Sequence, residues 1–511
     1  MRVAVSGVIV LAVAALPACA SKENTAPKPA PSAEAPVTET SAAPVASVAP
    51  AAPDKPKDDG PRLYVKSRFA WVHPQPGSEG WIGYLWSGAS VKLKQAEPVV
   101  GPGCSKWVAI EPRGYVCADG ERATLDPKDP AYQVLAKYAP RLDTAWPHDY
   151  GESRGLIRYK TIPTPEEQRR REWDLVDHMK EVQAALEGKP RDASLEGVDL
   201  TPAPSTPIEL GELPGTAREP RNRLLPTSTV AWIAQTHAEG RDWLLSADMM
   251  WAPKDRVMVY PKVTFHGVEL GKGVQLPLAF FRGEDRDKFE RKADGSFVPA
   301  GDKFLRLSYV QLTGKSEDKD GETYLETRDG GRWVKKKEAV VPEPSSTTPW
   351  GAPVGGADTK DAPAGRRTWI EASVWKGWLV AFEGTKPVYA TMISPGRGGT
   401  PVRGKTPLET ASTPTGSFKI TGKFATATMV APHEYIHSDV PWTQNFSGPH
   451  ALHGAYWHDN WGNRMSAGCV NVSPIDGKWL FEFTEPELPP GWHGVRWRPS
   501  EEPATTFIVH D

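Results

Sequence analysis

Apolar and polar positions alternate in short runs over residues 62–125. RLYVKSRFAWVHPQPG, WIGYLWSGASVKLKQ and KWVAIEPRGYVCAD are separated by glycine and proline turns. Val91 and Leu93 alternate with Lys92 and Lys94, the period-2 pattern of a half-buried strand. Several short strands in so little chain predict a small barrel. The same pattern returns over 226–342, in TVAWIA, DWLLSADMMW, RVMVYPKVTF, VQLPLAFF, KFLRLSYVQL, TYLET and RWVKKKEAV. It predicts a second β-rich domain, an accessory binding module or a plain scaffold. Residues 367–511 open with RTWIEASVWKGWLVAFEGTKPVYATM, whose strands and Glu-Gly turn predict a β-meander. The fold class expected is mainly β and multidomain.

One segment has a helical period. Thr164 is a candidate N-cap, Pro165 suits the first helical position, and Glu167 completes a capping box. Trp173, Val176, Met179, Val182 and Leu186 recur at spacings of three and four, and Gly188 is a plausible stop. This predicts one helix over 164–188, its stripe buried in a core. The rest of 126–225 is expected to be an irregular connector. Residues 343–366 (PEPSSTTPWGAPVGGADTKDAPAG) are expected to be a linker.

The chain begins differently. Behind Met1-Arg2, residues 3–16 (VAVSGVIVLAVAAL) form one apolar run. A span needs about 20 such residues, so a basic start and a short apolar core read as a secretory signal. The run ends Leu16-Pro17-Ala18-Cys19, which resembles the bacterial lipobox. That resemblance implies cleavage over 1–18 and acylation of Cys19, giving an anchored protein rather than a spanning one. An ordinary signal peptide with a chance cysteine is the plainer alternative. In Gram-negative sorting an aspartate after the cysteine favours the inner membrane. Ala20 stands there, which points to the outer membrane and a periplasmic location. Residues 20–61 are rich in Ala and Pro and lack Leu, Ile, Phe, Tyr and Trp until Arg62. Such a tether has nothing to pack and, at ~3.1 Å per residue, reaches on the order of 100 Å.

Composition narrows the picture. The formal charge is −2 and the pI about 6.7, against a nucleic-acid binder, which needs a basic face. A 39% hydrophobic share and 20 tryptophans rule out wholesale disorder. The 51 prolines are about twice the usual share, and the excess falls chiefly in the tether and the joints. Four cysteines are too few for a disulfide scaffold, so each needs its own explanation. Cys104 and Cys117 flank a predicted strand pair and in a secreted chain read as a disulfide. Neither CxxC spacing nor local histidines support a metal there.

The last domain carries the chemistry. Cysteine is the best neutral-pH nucleophile among side chains, but only as thiolate, and a histidine can take its proton. Cys469 is the lone cysteine of its domain and sits in Ser466-Ala467-Gly468-Cys469. Gly468 permits close approach of a substrate. The N–H groups of Gly468 and Cys469 are candidate donors to an oxyanion. His453 and Gly454 lie upstream. His433-Glu434-Tyr435-Ile436-His437 formally matches the zinc-protease HExxH, but Pro432 and the following SDVP oppose the helix that motif requires. His450, His453 and His458 are a second arrangement with metal-ligand residue types. Neither set outweighs the cysteine–histidine reading, so no metal and no cofactor is expected.

Three blocks stand in order: the opening hairpin, Thr413-Pro414-Thr415-Gly416-Ser417-Phe418, and ALHGAYWHDNWGNRMSAGCVNVSP. Together they resemble the catalytic domain of the L,D-transpeptidases, with its YkuD-like β-sandwich. The resemblance covers 367–511. It implies that Cys469 is the nucleophile and His453 its base, with Gly454 orienting the ring, Ser466 and Gly468 shaping the motif, and Asn471, Tyr456 and Trp457 near substrate. It implies peptidoglycan stem peptides as partners, with a second stem, a wall-attached lipoprotein or water as acceptor. One position departs: Ala467 stands where the family usually has histidine, which puts acceptor contacts in doubt. The rival expectation is a catalytically weakened, wall-binding envelope lipoprotein. Residues 62–125 loosely resemble a bacterial SH3-like domain through GYxxxGxxVKL and a closing W…GYV.

Overall fold

The computed structural model describes residues 60–210, 222–360, 362, 365–430 and 435–511. Cys19, the apolar run and most of the Ala/Pro-rich tether lie outside the described residues, as do His433 and Glu434. The architecture is mainly β, built from several sheets. Among the described residues no helix is long and apolar enough to cross a membrane.

The C-terminal segment is a sandwich of two sheets. One has six strands, in the order Val268–Glu269, Lys386–Met392, Trp378–Glu383, Thr368–Ser373, Thr506–His510, Gly416–Lys419. The strand Thr368–Ser373 is buried at every position. Ile370 and Ala372 enter the sandwich core with Leu452, Val470, Phe507 and Val509. Trp369 faces the other way, into a second core shared with Phe265, Leu278 and Phe280. A strand covered on both faces loses the alternation of a half-buried one. Trp378–Glu383 shows the same, with Leu379 and Ala381 on one side and Trp378, Val380 and Phe382 on the other.

The second sheet has seven strands and does not stop at the sandwich. Its order is Phe69–Val72, Gly83–Trp86, Gly494–Arg496, Gly422–Val430, Ile436–Ser447, His450–Gly454, Val470–Val472. An N-terminal hairpin therefore extends the C-terminal sheet, with Gly83 opposite Val495 and Tyr84 opposite Gly494. The close approach requires glycine: a Cβ at Gly83 would sit 2.4 Å from the Trp492 ring, and one at Gly494 2.5 Å from the Tyr84 ring. Trp492 and Val495 complete the N-terminal core of Leu63, Val65, Leu85, Val91 and Val108. Trp86 stacks on His493 at 4.6 Å. Residues 62–125 thus share both a sheet and a core with the C-terminal segment. Within them Cys104 and Cys117 form a disulfide between adjacent strands.

Residues 226–342, expected as one β-rich unit, are divided among three sheets: Val268–Glu269 edges the sandwich, and the other strands form two further sheets. The first has five strands, in the order Trp251–Pro253, Arg241–Ser246, Thr229–Ala238, Asp149–Ser153, Val257–Val259. It recruits Asp149–Ser153 from the stretch expected to be irregular connector. The second has six strands between Leu278 and Lys335. The stretch 343–366 is tied down where Ser345 donates its N–H and hydroxyl to the buried Glu371 carboxylate.

The expected single helix is broken. Pro165–Arg171 and Leu175–Leu186 are separate helices. Thr164 caps the first and accepts from the Glu167 N–H. The Gly188 N–H bonds the Ala185 carbonyl and the Lys189 N–H the Ala184 carbonyl, so Gly188 ends the second with φ +82°. The buried face is Leu175, His178 and Val182. Trp173, Val176 and Leu186 are exposed, Trp173 at 87%. The reason is electrostatic. The Glu172 carboxylate is buried and bonds Arg241, Arg256 and the Tyr159 hydroxyl. Holding that anion inward breaks the helix beside it and rotates the second helix away from the apolar stripe.

Candidate active site

The strands His450–Gly454 and Val470–Val472 run parallel, with Leu452 opposite Val470, His453 opposite Asn471 and Gly454 opposite Val472. Side chains alternate along each strand. Leu452, Val470 and Val472 enter the sandwich core, so His453 and Asn471 face away from it. Cys469, two residues before Asn471, falls on their side, and a backbone hydrogen bond from Ala451 reaches its sulfur. It is a half-buried free thiol.

The His453 Nδ1 lies 3.2 Å from the Gly454 carbonyl oxygen. A carbonyl only accepts, so Nδ1 carries the hydrogen and Nε2 keeps its lone pair. His453 is 2% exposed, and burial pushes its pKa down to about 4. Burial also pushes the Cys469 thiol up, partly offset by the Ala451 bond. At rest the thiol and the imidazole are therefore both neutral. Gly454 sits in a tight space: a Cβ there would stand 3.2 Å from Pro441 and from the backbone of Pro474.

A tight turn presents the thiol. Gly468 has φ +129°, and a Cβ on it would lie 2.8 Å from the His450 ring and from the Ser412 carbonyl. The Ser466 hydroxyl donates to the Cys469 carbonyl at 2.5 Å and accepts the Gly468 N–H at 3.0 Å. That corrects one expectation. The Gly468 N–H is occupied by Ser466 and is not available to an oxyanion. Ala467 is exposed beside the turn.

Residues 367–494 match the family model described as the L,D-transpeptidase catalytic domain, YkuD. This segment is an L,D-transpeptidase catalytic domain. Similar solved structures include an L,D-transpeptidase from Xylanimonas cellulosilytica, 24% identical, with 29% of this chain and 62% of that one covered and a TM-score of 0.20. Another, from Stackebrandtia nassauensis, is 22% identical over 30% and 57%, with a TM-score of 0.19. The catalytic domain of the E. faecium enzyme is 20% identical over 29% and 99%, with a TM-score of 0.20. The chain spans 62% and 57% of the first two. Among curated proteins none matches.

The other expected positions of this L,D-transpeptidase domain separate into distinct roles. Asn471 exchanges both backbone hydrogen bonds with Ser394, its Nδ2 is 3.3 Å from the His458 Nε2, and its Oδ1 is buried without a partner. Trp457 is half-buried, stacks on His437 at 4.1 Å and lies 5.8 Å from the His453 ring. Tyr456 does not face substrate. It is 1% exposed, its hydroxyl bonds the Ser438 carbonyl and Thr229, and its ring stacks on Tyr150. The reason is the five-stranded sheet, which covers that side of the domain.

His437 lies on the strand Ile436–Ser447, while His433 and Glu434 are outside the described residues. The His450 Nδ1 faces the Ser447 carbonyl, and the His458 Nδ1 accepts the Asn460 N–H. Among the described residues the one trio of metal-type side chains is Cys104, Cys117 and Asp119, whose cysteines are the disulfide. Sequence reasoning left His437 and His458 without a role beside His453. Burial, with a smaller contribution from His453, lowers both to about 4. It also missed Asp476, whose buried carboxylate accepts from Tyr389, Thr391 and the Gly267 N–H. The Ser473-Pro474-x-Asp476 helix start was the available signal; Ser473 caps that helix by accepting the Asp476 N–H.

Proposed function

We propose that this chain is a lipid-anchored L,D-transpeptidase acting on peptidoglycan stem peptides. The observation that supports the reading is the parallel pair with His453 opposite Asn471, Cys469 lying two residues before Asn471 on the same face and the His453 Nε2 keeping its lone pair. Cys469 Sγ attacks the amide carbonyl after the third residue of a tetrapeptide stem while Nε2 takes the thiol proton. The Cys469 N–H is the backbone donor left for the oxyanion, since Ser466 holds that of Gly468. The carbon–nitrogen bond breaks, the imidazolium returns its proton to the departing D-alanine amine, and a thioester remains. An amine from a second stem or from a wall-attached lipoprotein then attacks the thioester and the thiol leaves. Water in its place gives a carboxypeptidase. This sequence uses no metal and no cofactor.

The remaining parts fit an envelope protein. Acylated Cys19 anchors the chain at the outer membrane on its periplasmic side, and the tether lifts the rest towards the wall. The N-terminal barrel is an SH3-like module. Incubation with a tetrapeptide stem, followed by intact mass and D-alanine release, tests the mechanism. A Cys469→Ala chain that still releases D-alanine sinks it.

A second reading rests on Ala467. With alanine exposed beside the turn, the domain would grip the wall without turnover. Wild-type protein that pulls down peptidoglycan but neither acylates nor releases D-alanine supports that alternative.

A further inference from the structure

A cavity of about 570 Å³ opens in the five-stranded sheet, outside the Cys469 site. Its floor is apolar, with Leu244 and Val257. Its wall carries two half-buried aromatic rings, Trp146 and Tyr260. Its charges are matched internally: Lys262 pairs with Asp149 at 3.3 Å, and Lys254 with Asp199 at 3.0 Å. One buried polar side chain on the lining is not matched. His148 is 1% exposed, and neither of its ring nitrogens has a hydrogen-bond partner among the described residues. Buried polar groups are normally paired, so an imidazole left open on both sides marks a place where a ligand supplies the partners.

The lining defines the ligand. A neutral imidazole offers one donor and one acceptor, which suits hydroxyl or amide groups. Self-matched charges leave nothing for an ionic ligand to neutralise. Flat aromatic walls suit the apolar face of a pyranose ring, and the volume is that of a small-molecule site. We propose that this cavity binds one or two rings of a neutral saccharide, an N-acetylated amino sugar. The choice of amino sugar rests on the peptidoglycan reading above.

The placement gives the site a use. Trp146 and Tyr260 pack against the cluster of Tyr150 and Tyr456, which Trp457 joins. Trp457 lies beside the His453 ring. One aromatic cluster therefore runs from the cavity to the catalytic histidine. A glycan held in the cavity is aligned with the domain that works on its stem peptide.

The test is calorimetric titration of the full chain with N,N′-diacetylchitobiose and, separately, with maltose. Diacetylchitobiose is expected to bind, and Trp146→Ala and His148→Phe are each expected to weaken it by about tenfold. Carbapenem acylation of Cys469 in the same variants, read by intact mass, should be unchanged and reports that they are folded. No binding of either sugar, or binding indifferent to both substitutions, overturns the site. Equal binding of maltose overturns the amino-sugar assignment. Diacetylchitobiose binding in a chain whose Cys469 never acylates supports the site and removes the transpeptidase reading.

Discussion

Tyr150 lies flat on Tyr456, with ring centroids 3.8 Å apart and planes within 15°. Both hydroxyls reach the strand Ile436–Ser447, Tyr150 at the Asp439 carbonyl and Tyr456 at the Ser438 carbonyl. This stack fastens the five-stranded sheet to the catalytic domain three residues beyond His453. Tyr150→Ala is expected to cost about 3–5 kcal/mol in urea unfolding, as for other buried aromatic truncations. Tyr456→Phe keeps the ring and leaves its partners unpaired, so about 1–2 kcal/mol is expected. Loss of D-alanine release in Tyr456→Phe with full stability would instead place the hydroxyl in the reaction.

Gly468→Ala is expected to fold but to lose acylation by about a hundredfold or more. The new Cβ would press on the His450 ring and the Ser412 carbonyl at 2.8 Å, in a left-handed backbone. Moving a nucleophile by even ~1 Å has effects of this size. Stopped-flow acylation by a carbapenem measures it.

The ionisation of the site predicts a pH profile. Cys469 is pushed above its ordinary thiol value and His453 down to about 4, so neutral pH holds both uncharged. Iodoacetamide alkylation of Cys469 should keep rising with pH through 9, following the thiolate. A plateau from neutral pH downwards would reveal a thiolate–imidazolium pair instead.

Asp439 gives the fold an opposite sensitivity to that of ordinary carboxylates. It is buried, and burial raises its pKa to about 6, against the pull of Arg68 and Arg158 and with the push of Asp248. In the unfolded chain it ionises near 3.8. Its contribution to stability is full below that value and is lost as pH rises through about 6. Asp439→Asn keeps an acceptor for the Thr426 hydroxyl. It is expected to stabilise the protein at pH 8 by about 2–3 kcal/mol and to change little at pH 4. Equal effects at both pH values would show Asp439 ionised in the folded state throughout.

A chain that begins at residue 367 is expected to be much less stable than the full protein, although it contains every residue of the proposed catalytic centre. Gly494–Arg496 would lose Gly83 and Tyr84 as ladder partners, and Trp492 would lose the core of Leu63, Val65 and Leu85. An unpaired edge of this kind invites association. Light scattering and thermal unfolding of the shortened chain check the prediction. Unfolding at the temperature of the full protein would show that the shared sheet adds nothing.

What the sequence determined by itself was local. Val91 and Leu93 show a strand through their alternation with lysine. Thr164-Pro165 and Gly188 show where a helix starts and stops. His453 and Cys469 are the residue types of a nucleophile with its base, because such side chains carry their chemistry wherever they stand. What only the tertiary structure decided was what each element packs against. Trp173 looked like core and is exposed, because the buried Glu172 anion found two arginines distant in sequence. Tyr456 looked like a substrate contact and is a fastening, because another sheet covers it. The Gly468 N–H looked free and is held by Ser466. The hairpin Phe69–Val72 with Gly83–Trp86 continues the catalytic sheet. Period and residue type are properties of neighbours along the chain. Burial, pairing and the state of a proton depend on groups hundreds of residues away, brought near only by folding.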